Sequence, residues 1–167
     1  MPSTTDPGQH TVLIAYDGSS QAKGAIVEAG RELAAGRRAV VLTVREPLEK
    51  IAFAGLGGEI VLDPATISAM QEAAANEAAA AAEEGARLAG EAGFNAEARV
   101  EVAASPWQAI VAVGDELDAG VIVIGSRGRT GLPKVLLGSV ASAVAQHSRR
   151  SVLIVHREAG EPEQGSN

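Results

Sequence analysis

Five apolar runs alternate along the chain with segments of helical character. The runs are TVLIAY (Thr11 to Tyr16), AVVLTV (Ala39 to Val44), AEARVEVA (Ala96 to Ala103), VIVI (Val121 to Ile124) and SVLIVH (Ser151 to His156). Most are continuously apolar, the pattern of a strand buried on both faces. AEARVEVA instead alternates small or apolar residues with charged ones, which predicts a strand with one wetter face. Strands separated by helices cannot pair as hairpins. They build a parallel sheet covered by helices on both sides, an α/β architecture.

The chain of 167 residues is most simply one domain. That domain is expected over residues 11–157, with polar, disordered segments at 1–10 and 158–167. Aromatics make up 2% of the residues, so the core must come from Val, Ile, Leu and Ala. There is no cysteine, which excludes disulfides and thiolate chemistry. The N-terminus MPSTTDPGQH lacks the basic start and apolar stretch of a secretory signal. No run approaches the ~18 apolar residues of a membrane span. The expected location is cytoplasmic, with no membrane partner.

Net charge is -7, which argues against a nucleic-acid partner. Its distribution is uneven. Between Ala119 and Arg157 stand Arg127, Arg129, Lys134, Arg149, Arg150 and Arg157 without one acidic residue. An acidic protein with a wholly cationic segment is expected to meet a small anion there.

Helix signals fill the gaps between strands. SSQAKGAIVEAGRELAAG predicts a helix stopped at Gly36, and the longest helix is expected over roughly Pro64 to Ala92. SPWQAIVAVGDEL opens with Ser105 as N-cap and Pro106 at the first helical position. GSVASAVAQHS is a short helix before the last strand. Open parallel sheets bind ligands at the carboxyl ends of their strands, where the strand order reverses. Asp17 and Gly125 follow the first and fourth strands and so lie on that rim. Glu46 to Asp63 is long for a connection and carries Ile51, Phe53, Leu56, Ile60 and Leu62. It reads as a lid, a partner surface or a mobile insertion.

The fourth strand runs into GSRGRTGLPKVLLGS. Gly125, Gly128 and Gly138-Ser139 are spaced G-x2-G-x9-G-S. Glycines permit tight turns and close backbone approach, and successive N–H groups form an anion nest. The helix start at Ser139 adds a positive dipole end and a hydroxyl. A di- or triphosphate suits such a loop, although the loop tests for phosphate and not for its number. Each of these glycines also serves for close packing, and Ser139 for N-capping. Asp17, ahead of Gly18-Ser19-Ser20, is equally a candidate helix cap, and Arg127 and Arg129 are phosphate contacts or solvated. No P-loop, G-x-G-x-x-G or Gly-x-Ser-x-Gly elbow is present. His10, His147 and His156 form no metal spacing.

TVLIAYDGSSQAKGAIVEA, together with VIVIGSRGRTGLPKVLLGSVASAVAQHSRRSVLIV, resembles the ATP-binding branch of the universal stress protein family, from about Thr11 to Arg157. The resemblance implies a Rossmann-like, five-stranded parallel sheet in order 3-2-1-4-5, an ATP site between strands one and four, and a homodimer, here through the final strand. It implies Asp17 at the adenosine portion and as the metal candidate, with Mg2+ accompanying ATP. Ala15 and Val44 would border the base. Gly125, Gly128, Gly138, Ser139 and Val140 would hold ribose and phosphates, with Arg127 nearby. Two positions depart from the family pattern: Ala104 stands in place of glycine in "GxP", and Ser151 in place of proline before the last strand.

The expected function is a nucleotide-dependent sensor or regulator in the stress response. The alternatives are a slow ATPase or phosphotransfer enzyme, and a nucleotide-independent dimeric interaction protein. AMP and a cyclic nucleotide remain open as ligands. No evident base accompanies the loop, so at most slow hydrolysis is expected and no catalytic residue is assigned.

Overall fold

The computed structural model describes residues 10–33, 35–48, 63–128 and 137–156. The expected disordered ends, most of the 46–63 segment, and Arg129, Gly131, Lys134 and Arg157 lie outside the described residues. The elements are β1 (Val12–Ala15), α1 (Ser20–Glu32), β2 (Arg38–Arg45), α2 (Pro64–Glu91), β3 (Asn95–Val102), α3 (Pro106–Glu116), β4 (Val121–Gly125), α4 (Ser139–His147) and β5 (Ser151–Val155). The strands form one sheet in order β3-β2-β1-β4-β5. Every pairing is parallel. The chain reverses its winding between β1 and β4, where Val12 pairs with Val121 and Ile14 with Val123.

The period of two in each strand splits the core into two layers. Val12, Ile14 and Tyr16 pack with Ala25, Ile26 and Ala29 of α1 and with Ala89 of α2. Leu13 and Ala15 pack on the opposite face with Ile110 and Val113 of α3 and Val144 of α4. Leu13, Ile14, Ile26, Leu42 and Ile122 are fully buried, each contributing about 1.5–3 kcal/mol of transfer free energy. With few aromatics, close helix–sheet approach replaces bulk. Gly85 of α2 shows this directly: a Cβ there would stand 2.7 Å from Val41 Cγ1 and 2.8 Å from Tyr16 Cδ1.

Only the second half of α2 packs on the body. Its buried positions are Ala78, Ala82, Gly85 and Ala89, at the 4-3-4 spacing of one helix stripe. Asp63 caps its start, Oδ1 accepting from the N–H groups of Ala65 and Thr66. The first helix ends earlier than Gly36 implies. Leu33 is its C-cap in extended conformation and packs against the α1 core layer, so side-chain burial ends the helix before the glycine is reached. Gly36, at φ +79°, instead turns the chain into β2. Among the described residues β3 and β5 are the sheet edges, and β3 shows the expected wetter character, with Asn95, Glu97 and Ala98 exposed.

Candidate functional site

At the carboxyl ends of the strands a cavity of about 360 Å3 opens at the β1/β4 switch point. All nine residues picked out from the sequence line it: Ala15, Asp17, Val44, Gly125, Arg127, Gly128, Gly138, Ser139 and Val140. Its apolar part is built by strand parity. Ala15, Leu42, Val44 and Ile124 belong to the α3/α4 core layer, so the strand tips present that same face to the cavity. Pro106 and Ile110, four apart on α3, complete the wall. Leu42 and Ile124 went unnoticed in the sequence, yet the same alternation that places Ala15 and Val44 reaches them. Glu46, just past β2 and at the start of the 46–63 segment that leaves the binding rim, also lines the cavity.

The loop glycines answer to the protein's own packing. None of Gly125, Gly128 and Gly138 has a positive φ, so tight turning is not what requires glycine there. A Cβ at Gly125 would stand 3.0 Å from the Gln21 carbonyl carbon and 3.2 Å from the Arg127 carbonyl oxygen. At Gly128 it would meet Asp17 Oδ2 at 2.7 Å, and at Gly138 the Ser126 carbonyl oxygen at 3.2 Å. The two parts of the loop therefore press against the first turn of α1 and against each other.

Ser126 joins these pieces. It is buried; its N–H donates to the Val155 carbonyl at 2.7 Å, and its own carbonyl accepts from Gly138 N–H at 2.7 Å. Its Oγ lies 3.5 Å from Gln21 Oε1, a marginal contact. The loop root is thus tied to the end of β5, to the start of α4 and to α1. Gly138 is itself the N-cap of α4, without a side-chain cap bond. Ser139 is therefore the first helical residue and not the cap, and it is exposed at the cavity.

Asp17 is likewise not the cap of α1. Ser19 is, its Oγ accepting from Ala22 N–H at 3.2 Å, while Asp17 Oδ1 accepts from Ser19 N–H at 3.0 Å. The residue before Asp17 is anchored on three sides. Tyr16 N–H donates to the Leu42 carbonyl, its carbonyl accepts from Thr43 Oγ1 at 2.9 Å, and its hydroxyl donates to Glu84 Oε2 at 2.7 Å. Glu84 also receives Lys23 Nζ at 2.9 Å. Burial, then the hydrogen bond to Glu84, holds the Tyr16 phenol well above its ordinary value. The same hydrogen bond, then that from Lys23, holds Glu84 below the usual carboxylate range.

Among the described residues, the cations of the 119–157 segment do not form one patch. Arg127 lines the cavity, but Arg150 is ion-paired with Asp115 and Asp118 ahead of β5, at the opposite end of the strands. Charges adjacent in sequence are separated by a strand's length. Ser105 caps α3 in position but makes no side-chain cap bond. Among the described residues no three His, Cys, Asp or Glu side chains are grouped to hold a metal, and no helix is long and apolar enough to cross a membrane.

Residues 9–156 match the model of the universal stress protein family. The chain belongs to the universal stress protein family. The universal stress protein MJ0577 of Methanocaldococcus jannaschii is 38% identical over 53 residues, 32% of this chain and 33% of that relative's length. The sequence match thus spans about a third of the curated relative. The solved structure of MJ0577 superposes with a TM-score of 0.65 at 23% identity, covering 87% of this chain and 94% of its own. A universal stress protein solved in complex with cAMP is 28% identical, covers 89% of this chain and 97% of its own, and has a TM-score of 0.59. One from Arabidopsis thaliana with AMP bound is 17% identical, covers 93% and 97%, and has a TM-score of 0.62. The five-stranded order β3-β2-β1-β4-β5 is the one the family resemblance implies.

Proposed function

We propose that this chain binds an adenine nucleotide at the β1/β4 cavity and acts as a nucleotide-dependent regulator or sensor in the stress response. The observation that carries the reading is the two-part character of that cavity. Leu42, Val44, Ile110 and Ile124 offer an apolar slot for a base, while Gly128, Gly138 and Ser139 bring loop backbone and the start of α4 to its other side. An α4 N-terminus presents N–H groups and the positive end of its dipole to a phosphate. The family relatives solved with cAMP and AMP support the adenine class.

ATP is the preferred ligand in this reading, Arg127 and the helix start balancing its phosphate charge. Mg2+ is typically held by one or two carboxylates plus phosphate oxygens, and Asp17, beside Gly128 at the cavity, fits that role as the single protein carboxylate ligand. The bound Mg2+ would neutralise phosphate charge. The test is calorimetric titration with ATP, AMP and cAMP, joined to mass spectrometry of any ligand released on denaturing the purified protein. Saturable binding of at least one adenine nucleotide, lost or weakened in Ser139→Ala, is expected; no binding of any of the three overturns the reading.

A further inference from the structure

The rim holds a second compartment. It lies on the other face of the sheet, between the start of α1 and the middle of α2, with a volume of about 910 Å3. The end of β2 builds both. In LTVR, Leu42 and Val44 point into the first cavity, while Thr43 and Arg45, one residue out of phase, line the second. The two share Asp17, Val44, Glu46, Arg127 and Gly128, so they are neighbouring rooms with a common wall at the switch point.

Their chemistry differs. The first, at about 360 Å3, sits near the lower end of the ~300–1,000 Å3 range of small-molecule sites and accommodates one nucleotide. The second is the more polar of the two, with the Ser19 and Ser20 hydroxyls at the start of α1 and Glu77 on α2. One strip of it is smooth: Ala74, Ala78 and Ala81, at helical spacing, present methyl groups only. Gln21 also lines it and is 3% exposed, and its Nε2 has no hydrogen-bond partner among the described residues.

We propose that the site is bipartite and takes a dinucleoside polyphosphate, one nucleoside in each compartment and the phosphate chain crossing the shared wall at Arg127 and Gly128. Arg127 and Arg45 supply positive charge along that path. The second base lies on the alanine strip of α2, and Glu77 accepts hydrogen bonds from its ribose hydroxyls. Dinucleotides bind across the same crevice of doubly wound sheets because the reversal of strand order leaves both faces open at one point. The inference rests on the nucleotide reading of the first compartment and extends it.

The test compares diadenosine tetraphosphate with ATP by calorimetric titration. The wild-type chain should bind the dinucleotide at least about tenfold more tightly, a factor set by about 1.4 kcal/mol. Ala74→Trp, which covers the alanine strip of the second compartment, should remove that gain while leaving ATP affinity within about twofold. Glu77→Trp, at an exposed position of the same wall, repeats the test without disturbing packing. ATP binding with no advantage for the dinucleotide, or an advantage that survives both substitutions, overturns the bipartite site and leaves the nucleotide reading standing. Binding of neither ligand overturns the bipartite site, and the nucleotide reading falls with it when AMP and cAMP also fail to bind.

Discussion

Gly128 backs directly onto Asp17, so closely that a Cβ on the glycine would lie 2.7 Å from the Asp17 Oδ2. The glycine of the loop and the carboxylate that follows β1 are therefore neighbours before any ligand arrives. Loss of ligand binding in a Gly128 variant would by itself mix two causes. The separation comes from a double-mutant cycle. Gly128 is exposed and a Cβ there would meet only the end of the Asp17 side chain, so Gly128→Ala should cost at most about 1 kcal/mol of stability in the wild-type background and less in an Asp17→Ala background. Denaturant midpoints measure both. Equal costs in the two backgrounds would mean that the contact carries no strain.

Legibility from the sequence followed the range of the signal. The family resemblance placed Ala15 and Val44, and the glycine spacing placed Gly125, Gly128 and Gly138, because each is read at fixed offsets in the chain. The reasons for the glycines were not local. Gly125 is required by Gln21, over a hundred positions away in the chain, and Gly128 by Asp17. Two caps were misplaced by one or two residues, Ser19 taking the role open to Asp17 and Gly138 the role open to Ser139, since several adjacent residues all have cap chemistry. Arg150 read as part of an anion-binding stretch because sequence proximity conceals the length of β5.

Tyr16 is the single tyrosine of the chain, so its ionisation can be read directly from tyrosinate absorbance. Burial and Glu84 raise its folded value above the ordinary 10.0. Its contribution to stability is present below that ordinary value and is lost as pH rises beyond it, because the unfolded chain ionises first. Glu84 has the opposite sign. Its folded value is lowered from 4.5, so its contribution is present above 4.5 and is lost as pH falls through the folded value. Absorbance should thus appear only well above pH 10.0, or together with unfolding. Glu84→Gln should flatten the acid limb of stability and bring the tyrosinate transition down without returning it to the ordinary value. A normal titration in the folded wild type would contradict the Tyr16–Glu84 contact.

The final strand should join two copies of the chain. Val152, Leu153, Ile154 and Val155 form an edge without an internal charge or proline, which natural edges ordinarily carry. The direction of its backbone groups decides the test. The Val155 carbonyl accepts from Ser126 N–H, so the main-chain groups of Val155 face β4, and those of Val152 and Ile154 face outward. Val152→Pro should therefore convert a dimer to monomer in sedimentation without unfolding it, whereas proline at Val155 would break the chain's own ladder. A Val152→Pro protein that still sediments as a dimer rules out pairing through this edge.

Hydrolysis of ATP, where it occurs, should be slow. In-line phosphoryl transfer needs a positioned nucleophile, charge compensation and usually a metal. The loop and the α4 start offer compensation, but a base is harder to place. Among the described residues the carboxylates lining the first cavity are Asp17 and Glu46. Asp17 has Oδ1 accepting from Ser19 N–H and is the carboxylate assigned above to Mg2+, so it is not left to orient a water in line with a terminal phosphate. Asp63, at the far end of the 46–63 segment, is held as the α2 cap by Ala65 and Thr66. Glu46 is the other described carboxylate lining the cavity, and the turnover test therefore addresses it. Turnover with saturating ATP and Mg2+ should fall far below the ~10 s⁻¹ typical of enzymes, and Glu46→Gln should leave nucleotide affinity within about twofold. Turnover near the enzymatic median that disappears in Glu46→Gln would make this protein an ATPase and Glu46 its base.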